Sequence, residues 1–187
     1  SMPISFFNAG IKGDVTGGIL KRIQSDVLIH NPTHAIIMIG MNDVQRELYG
    51  KNATQNTDTL AKRKAALALY SKNLDSIVSI FLKQRITVVL QKPSAYDQTS
   101  TIKYPNGLGV NDALIDCGKV MQQLANKYNL QVVDYNTVMT NITLQEQAKT
   151  PNFTLTVNDR VHPNSTGHFI MAYEFLKTFK LSSDVSK

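Results

Sequence analysis

The chain has 187 residues, 42% of them hydrophobic and 18% charged, which fits one domain with its own core and excludes a disordered chain. One cysteine, Cys117, excludes an intramolecular disulfide framework and a cysteine-based zinc site. Lys and Arg exceed Asp and Glu by 20 to 14, a net charge of +6, which permits acidic partners without requiring one.

The residues Pro3–Asn8 read as a short buried strand, with β-formers ahead of Gly10 and Gly13. From Thr16 to Ile29, Ile19, Leu20, Ile23, Val27 and Leu28 recur at helical spacing until Asn31-Pro32 stops the run. Ala35–Ile39 is a continuous apolar strand ending at Gly40, the pattern of a parallel strand buried on both faces. Ala35–Gly40 is also the longest strongly apolar stretch, far too short to span a bilayer, so no membrane partner is expected. Asp43–Asp58 is a polar loop, and Thr59–Lys83 a long amphipathic helix. Ile86–Leu90 is the next buried strand, followed by a polar excursion over Ser94–Val110 of the length binding loops take. Asp112–Tyr128 is a helix, Leu130–Val133 a strand, Val138–Ala148 a short helix, Asn158–Asn164 a loop and Ser165–Phe179 a closing helix. Strands alternating with helices describe a three-layer α/β fold around a parallel sheet, one domain over residues 1–187, without repeat or linker.

In open parallel sheets, ligands bind beyond the carboxyl ends of the strands. Asn8–Thr16, Gly40–Asp43, Lys92–Asp97 and Asp159–Pro163 all fall there. Asp159 and His162, three apart in a loop stopped by Pro163, suit a general base whose imidazole is oriented by a carboxylate. The same residues also suit a surface turn with a helix-start aspartate. Asn42, after a glycine at a strand end, is either an amide donor to a developing oxyanion or a left-handed turn residue. Gly10 and Gly13 permit a tight turn into a helix, whose N–H groups serve either an oxyanion or a phosphate. The spacing lacks the third glycine of a dinucleotide fingerprint and any Gly-Lys-Ser/Thr ending, which argues against nucleotide. His30, His34 and His168 have no regular partner spacing and read as structural or surface residues, Cys117 as a packed helix residue, and Lys62-Arg63-Lys64 as a solvated helix face. The basic excess has no aromatic-interleaved motif, so nucleic acid is not an expected partner.

Together these segments resemble the SGNH hydrolases, the GDSL-type esterase and lipase superfamily. Asn8-Ala9-Gly10-Ile11-Lys12-Gly13-Asp14-Val15-Thr16 is similar to the family's second block, Gly40-Met41-Asn42-Asp43 to its third, and Asp159-Arg160-Val161-His162-Pro163 to its fifth. The blocks come in the family's order. The resemblance implies a flavodoxin-like sheet. It makes Gly13 and Asn42 the oxyanion hole, His162 the general base and Asp159 its orienting partner. It implies no metal or organic cofactor, and as substrate a small-molecule or carbohydrate ester. The Ser94–Val110 loop and His168 are similar to bacterial carbohydrate-esterase members of the superfamily.

One departure matters for function. The family's first block, Gly-Asp-Ser, carries the nucleophile, and no Gly-Asp-Ser occurs in the chain. Ser5 lies upstream of the motif, and Ser94, at the correct sheet edge, is also explained as a turn residue. The expectation is therefore a domain truncated before the second block, nearly inactive by itself, with a non-catalytic carbohydrate- or ester-binding domain as the alternative. In the family's sheet the missing strand is central, so Ile4–Asn8 is expected either to shift inward and pair with Ala35–Gly40 or to exchange between two copies as a homodimer. The compartment is left open; a secreted or periplasmic parent is compatible with the sequence.

Overall fold

A computed structural model describes residues 5–50, 56–103 and 105–179 of the chain. Three parallel strands, β1 (His34–Met38), β2 (Thr87–Lys92) and β3 (Gln131–Asp134), pair in the order β1-β2-β3. The registers Ile36↔Val89 and Leu90↔Val132 align their carboxyl ends. Helices α1 (Thr16–Asp26), α2 (Thr57–Lys83), α3 (Val110–Tyr128), α4 (Tyr135–Gln147) and α5 (Ser165–Thr178) cover the two faces. The result is the three-layer α/β sandwich, with a flavodoxin-like parallel core.

Strand alternation divides the core in two. Ala35, Ile37, Val88 and Leu90 face α2 and α3 and meet Tyr70, Leu74, Ile77, Val78, Leu114 and Met121. Val89 and Val133 point the other way, to Met139 on α4, Leu155 and the inner side of α5. Among the described residues α2 is the one helix long and apolar enough to cross a bilayer, but its apolar face is spent on this core. Side-chain caps start α2, α4 and α5. Asn56 accepts the Thr59 N–H at 2.8 Å, Asp134 the Thr137 N–H at 3.0 Å and Asn164 the Gly167 N–H at 3.0 Å.

Two expectations fail at the first strands. Pro3 and Ile4 lie outside the described residues, but Ser5–Asn8 belong to no strand, and Phe6 and Phe7 are 89% and 62% exposed. The ring of Phe7 rests on His30, centroids 3.8 Å apart. β-propensity describes fit to a paired, half-buried surface, and this segment has no neighbouring strand to supply one. Its described residues have not shifted inward to pair with β1, whose only partner among the described residues is β2. In consequence β1 is buried on one face rather than two, with Ile36 and Met38 each 46% exposed.

Candidate active site

The site is built on the turn ahead of α1, the turn that leaves β1 and the loop before α5. Gly13 has φ +79°, and nothing lies within 4 Å of where a Cβ would sit, so glycine is needed there for conformation rather than space. Its N–H makes no hydrogen bond among the described residues and is exposed just ahead of α1. Arg22 holds this turn from α1. Its Nε and Nη2 donate to Asp14 Oδ2 at 2.9 and 2.6 Å, and its Nη1 to the Ala9 carbonyl at 2.7 Å.

Asn42 enters from the end of β1. Its Nδ2 donates to the Asp14 carbonyl at 3.0 Å, which sets the amide beside Gly13 and leaves the amide's second hydrogen for another acceptor. The intervening Gly40 has φ +136°, and a Cβ on it would lie 2.9 Å from Pro93, the residue that follows β2. Asp43 locks the arrangement: its Oδ1 accepts the Thr16 N–H at 2.9 Å and the Thr16 hydroxyl at 2.6 Å. Asn73 on α2 donates to that hydroxyl at 3.2 Å. Burial raises the Asp43 carboxyl above the ordinary aspartate range although the Thr16 donors oppose it.

Asp159 and His162 face each other across the last turn before α5. Asp159 Oδ2 lies 2.5 Å from His162 Nδ1, and its Oδ1 accepts the N–H groups of Val161 and His162 at 2.9 and 3.0 Å. Slight burial works to raise the Asp159 carboxyl, but the His162 ring and the two N–H groups outweigh it and hold it below the ordinary range. An ionised carboxylate accepts at Nδ1–H, so the lone pair sits on Nε2. The His162 side chain is 64% exposed and Nε2 makes no hydrogen bond among the described residues. The geometry can take a proton from a group presented to that nitrogen.

The four sequence-derived residues thus form two pairs, Gly13 with Asn42 and Asp159 with His162, on one carboxyl edge. No hydrogen bond links the pairs among the described residues. Ser94 is buried, at 7% exposure, and Ser5 is exposed off the sheet; neither bonds to His162. His168 is exposed on α5, and Cys117 is buried with its thiol pushed up to about 12 by burial. Of the basic cluster, Lys62 is a solvated residue paired with Asp58, but Arg63 is not part of a solvated face. Its Nε and Nη2 donate to the Leu48 carbonyl at 3.1 and 2.5 Å, and its guanidinium lies 4.2 Å from the Tyr49 ring centre. Arg63, Tyr49, Tyr70 and Cys117 line a cavity of about 410 Å³, with Asp43 and Val44 also on its wall.

The residues of the two pairs could be singled out from sequence spacing, but their supports could not. Arg22, Asn73, Asp43 and Arg160 act through partners that no local spacing announces; only the Asn42-Asp43 adjacency offered a signal.

A parallel three-layer domain with an Asp–His pair and a glycine–asparagine turn on one sheet edge defines the SGNH class of acyl hydrolase folds. More specifically, the chain belongs to the GDSL-like lipase/acylhydrolase family, which matches residues 1–170. It is 26% identical over 174 residues to an acetylxylan esterase of Geobacillus stearothermophilus, covering 93% of this chain and 71% of that protein. It superposes with a TM-score of 0.85 on a gut microbial diltiazem-metabolizing enzyme, at 31% identity, over 95% of this chain and 39% of that one. A catalytic mutant of the Geobacillus acetylxylan esterase shares the fold, with a TM-score of 0.64 at 24% identity over 89% of this chain and 68% of that one. The chain therefore spans well under half the length of the diltiazem-metabolizing enzyme.

Proposed function

We propose that this chain carries the base and oxyanion half of a serine-type ester hydrolase that acts on a short acyl or acetyl ester of a carbohydrate or small molecule. The observation that carries the reading is His162, held by Asp159 at 2.5 Å with Nε2 open to solvent. In the complete reaction Nε2 takes the proton of a serine hydroxyl as that oxygen attacks the acyl carbon. The imidazolium then returns the proton to the departing alcohol, and water releases the acid from the acyl-enzyme. The Gly13 N–H and the Asn42 amide receive the oxyanion. The carbohydrate ester is favoured by the relatedness to an acetylxylan esterase.

No Gly-Asp-Ser occurs in these 187 residues, so by itself the chain turns esters over barely at all. Loss of a triad serine costs about 10⁶ in kcat, while oxyanion hole and binding retain about 10³–10⁴ over water. The test is hydrolysis of p-nitrophenyl acetate. Turnover near the buffer rate is expected. Robust turnover lost in His162→Ala but kept in Ser94→Ala refutes both the inactivity and Ser94 as a substitute nucleophile. The absence of Gly-Asp-Ser equally favours a second reading, a binding domain that retains the pocket. Calorimetric binding of an acetylated oligosaccharide to a form that carries a restored Gly-Asp-Ser block but shows no turnover supports it; turnover by that form refutes it.

The open β1 edge, with Ile36 and Met38 half exposed, supports a second copy as the partner there.

A further inference from the structure

We propose that Arg160, inside the Asp159–His162 motif, is the positioning residue that sets the geometry of the Asp–His pair by pinning its turn to the loop after β2. The proposal rests on the ester-hydrolase reading only for its purpose; the pinning itself is a matter of the turn.

Arg160 is 2% exposed, which an arginine tolerates only when its guanidinium is fully occupied. Here Nη1 donates to the Asp97 carbonyl at 2.9 Å and to the Ser100 hydroxyl at 3.0 Å. Nη2 donates to the Ile102 carbonyl at 2.8 Å, and both nitrogens approach the Ser100 carbonyl at 3.2–3.3 Å. The backbone answers in the other direction: the Asp97 N–H donates to the Arg160 carbonyl at 3.0 Å. Asp97 itself is 5% exposed and lies 3.9 Å from Nη1 as a counter-charge. Burial works to raise its carboxyl, but donated hydrogen bonds more than offset this and keep it low and ionised.

The backbone of Arg160 explains why the pin reaches the chemistry. Its φ is +66°, a left-handed conformation unfavourable for a side chain of this size, and the guanidinium contacts hold it there. Directly after it, the next two N–H groups, of Val161 and His162, both reach Asp159 Oδ1. With Oδ1 so occupied, Oδ2 is turned to His162 Nδ1. Release Arg160, and the turn that carries Asp159 and His162 loses its anchor to the loop after β2. Arg160 touches neither imidazole nor substrate; it acts through Asp159.

The test reads the imidazole rather than turnover. In Arg160→Lys, which keeps the charge but not the planar fork, nitrogen-15 NMR of His162 is recorded, with His162→Ala assigning its signal among the four histidines. The parent is expected to show one tautomer with protonated Nδ1, and the variant averaged ring nitrogens. Exchange of the Asp97 amide should quicken by about tenfold or more while the β2 amides stay protected. Should the His162 signals stay unchanged while the Asp97 amide opens, Arg160 is a loop clamp only and the proposal is overturned. If Arg160→Lys loses the fold, seen as exchange of the β2 amides, Ser100→Ala decides: it removes one acceptor, and a smaller shift of the His162 nitrogens in the same direction is required. Because no substrate is used, the outcome of the esterase assay bears on the functional reading without touching this one.

Discussion

The sharpest test of the oxyanion turn is Thr16→Val, an isosteric change that deletes one hydroxyl. Thr16 is 1% exposed, and its hydroxyl donates to Asp43 at 2.6 Å while accepting from Asn73 at 3.2 Å. Valine keeps the shape and the Thr16 N–H bond, but strips the hydroxyl donor from a carboxylate whose other oxygen is already buried without a partner. A hydrogen bond to a charged group contributes about 1.5–3 kcal/mol, and Asn73 loses an acceptor besides, so a loss of about 2–3 kcal/mol is expected. In urea unfolding, with a slope of about 1–3 kcal/mol per molar, the midpoint falls by about 1–2 M. The pH dependence identifies the cause. The folded Asp43 carboxyl is raised above its unfolded value, so stability from this group falls as pH rises through that window and is level above it. Thr16 opposes the shift, and its loss widens the window upward. The deficit should therefore be full near neutral pH and shrink as pH falls toward the ordinary aspartate value of about 3.9. A deficit below about 0.5 kcal/mol, or one indifferent to pH, refutes the assignment of Asp43 as the lock on Asn42.

Three further outcomes follow from burial and pairing. Leu74→Ala, at a position 0% exposed between α2 and the sheet, should cost about 2–5 kcal/mol in denaturant unfolding. Cys117 should resist iodoacetamide in the folded protein at neutral pH and react once unfolded, since burial pushes its thiol to about 12; fast labelling of the native chain refutes its packing. Burial works to raise the Asp134 carboxyl, but Lys92 at 2.5 Å and the Thr137 donors hold it low. Its stabilisation is thus present above the ordinary carboxylate value and lost as pH falls through the lowered one. Asp134→Asn should flatten acid unfolding in that window, measured as urea midpoints against pH.

What could be read ahead of the structure was what short-range pattern encodes. The helical spacing of Leu74, Ile77, Val78 and Phe81 placed α2, and caps such as Asn164 sit where a polar residue precedes an apolar run. The Asp159–His162 pair was legible because its members lie three positions apart in one loop. Arg160 was not: its acceptors lie 58 to 63 residues away, and nothing in Asp-Arg-Val-His marks the arginine as buried. Arg63 failed for the same reason, since a three-residue basic run looks solvated until Leu48 and Tyr49 come over it. Ser94 sits at the correct sheet edge by sequence, yet it is buried, at 7% exposure.

The segment before α1 carries the last prediction, because pattern and structure part there most completely. Phe6 at 89% and Phe7 at 62% exposure leave apolar rings in water, and β1 leaves an unpaired edge with Ile36 and Met38 at 46%. If a second copy covers that edge with its Phe6 segment, stability becomes a function of concentration, because only the folded dimer contains the buried rings. Burying a phenylalanine side chain is favourable by about 1.5–3 kcal/mol, so Phe6→Ser should weaken association by about 10- to 100-fold. At a dilution where the parent is monomeric, the same substitution should leave unfolding within about 0.5 kcal/mol, since an exposed ring supports nothing in a single chain. Light scattering and thermal unfolding across a concentration series separate these terms. A midpoint independent of concentration, with a monomer at every concentration, removes the second copy from β1. A destabilised monomer means that Phe6 is buried within one chain and that the Pro3–Asn8 strand forms after all.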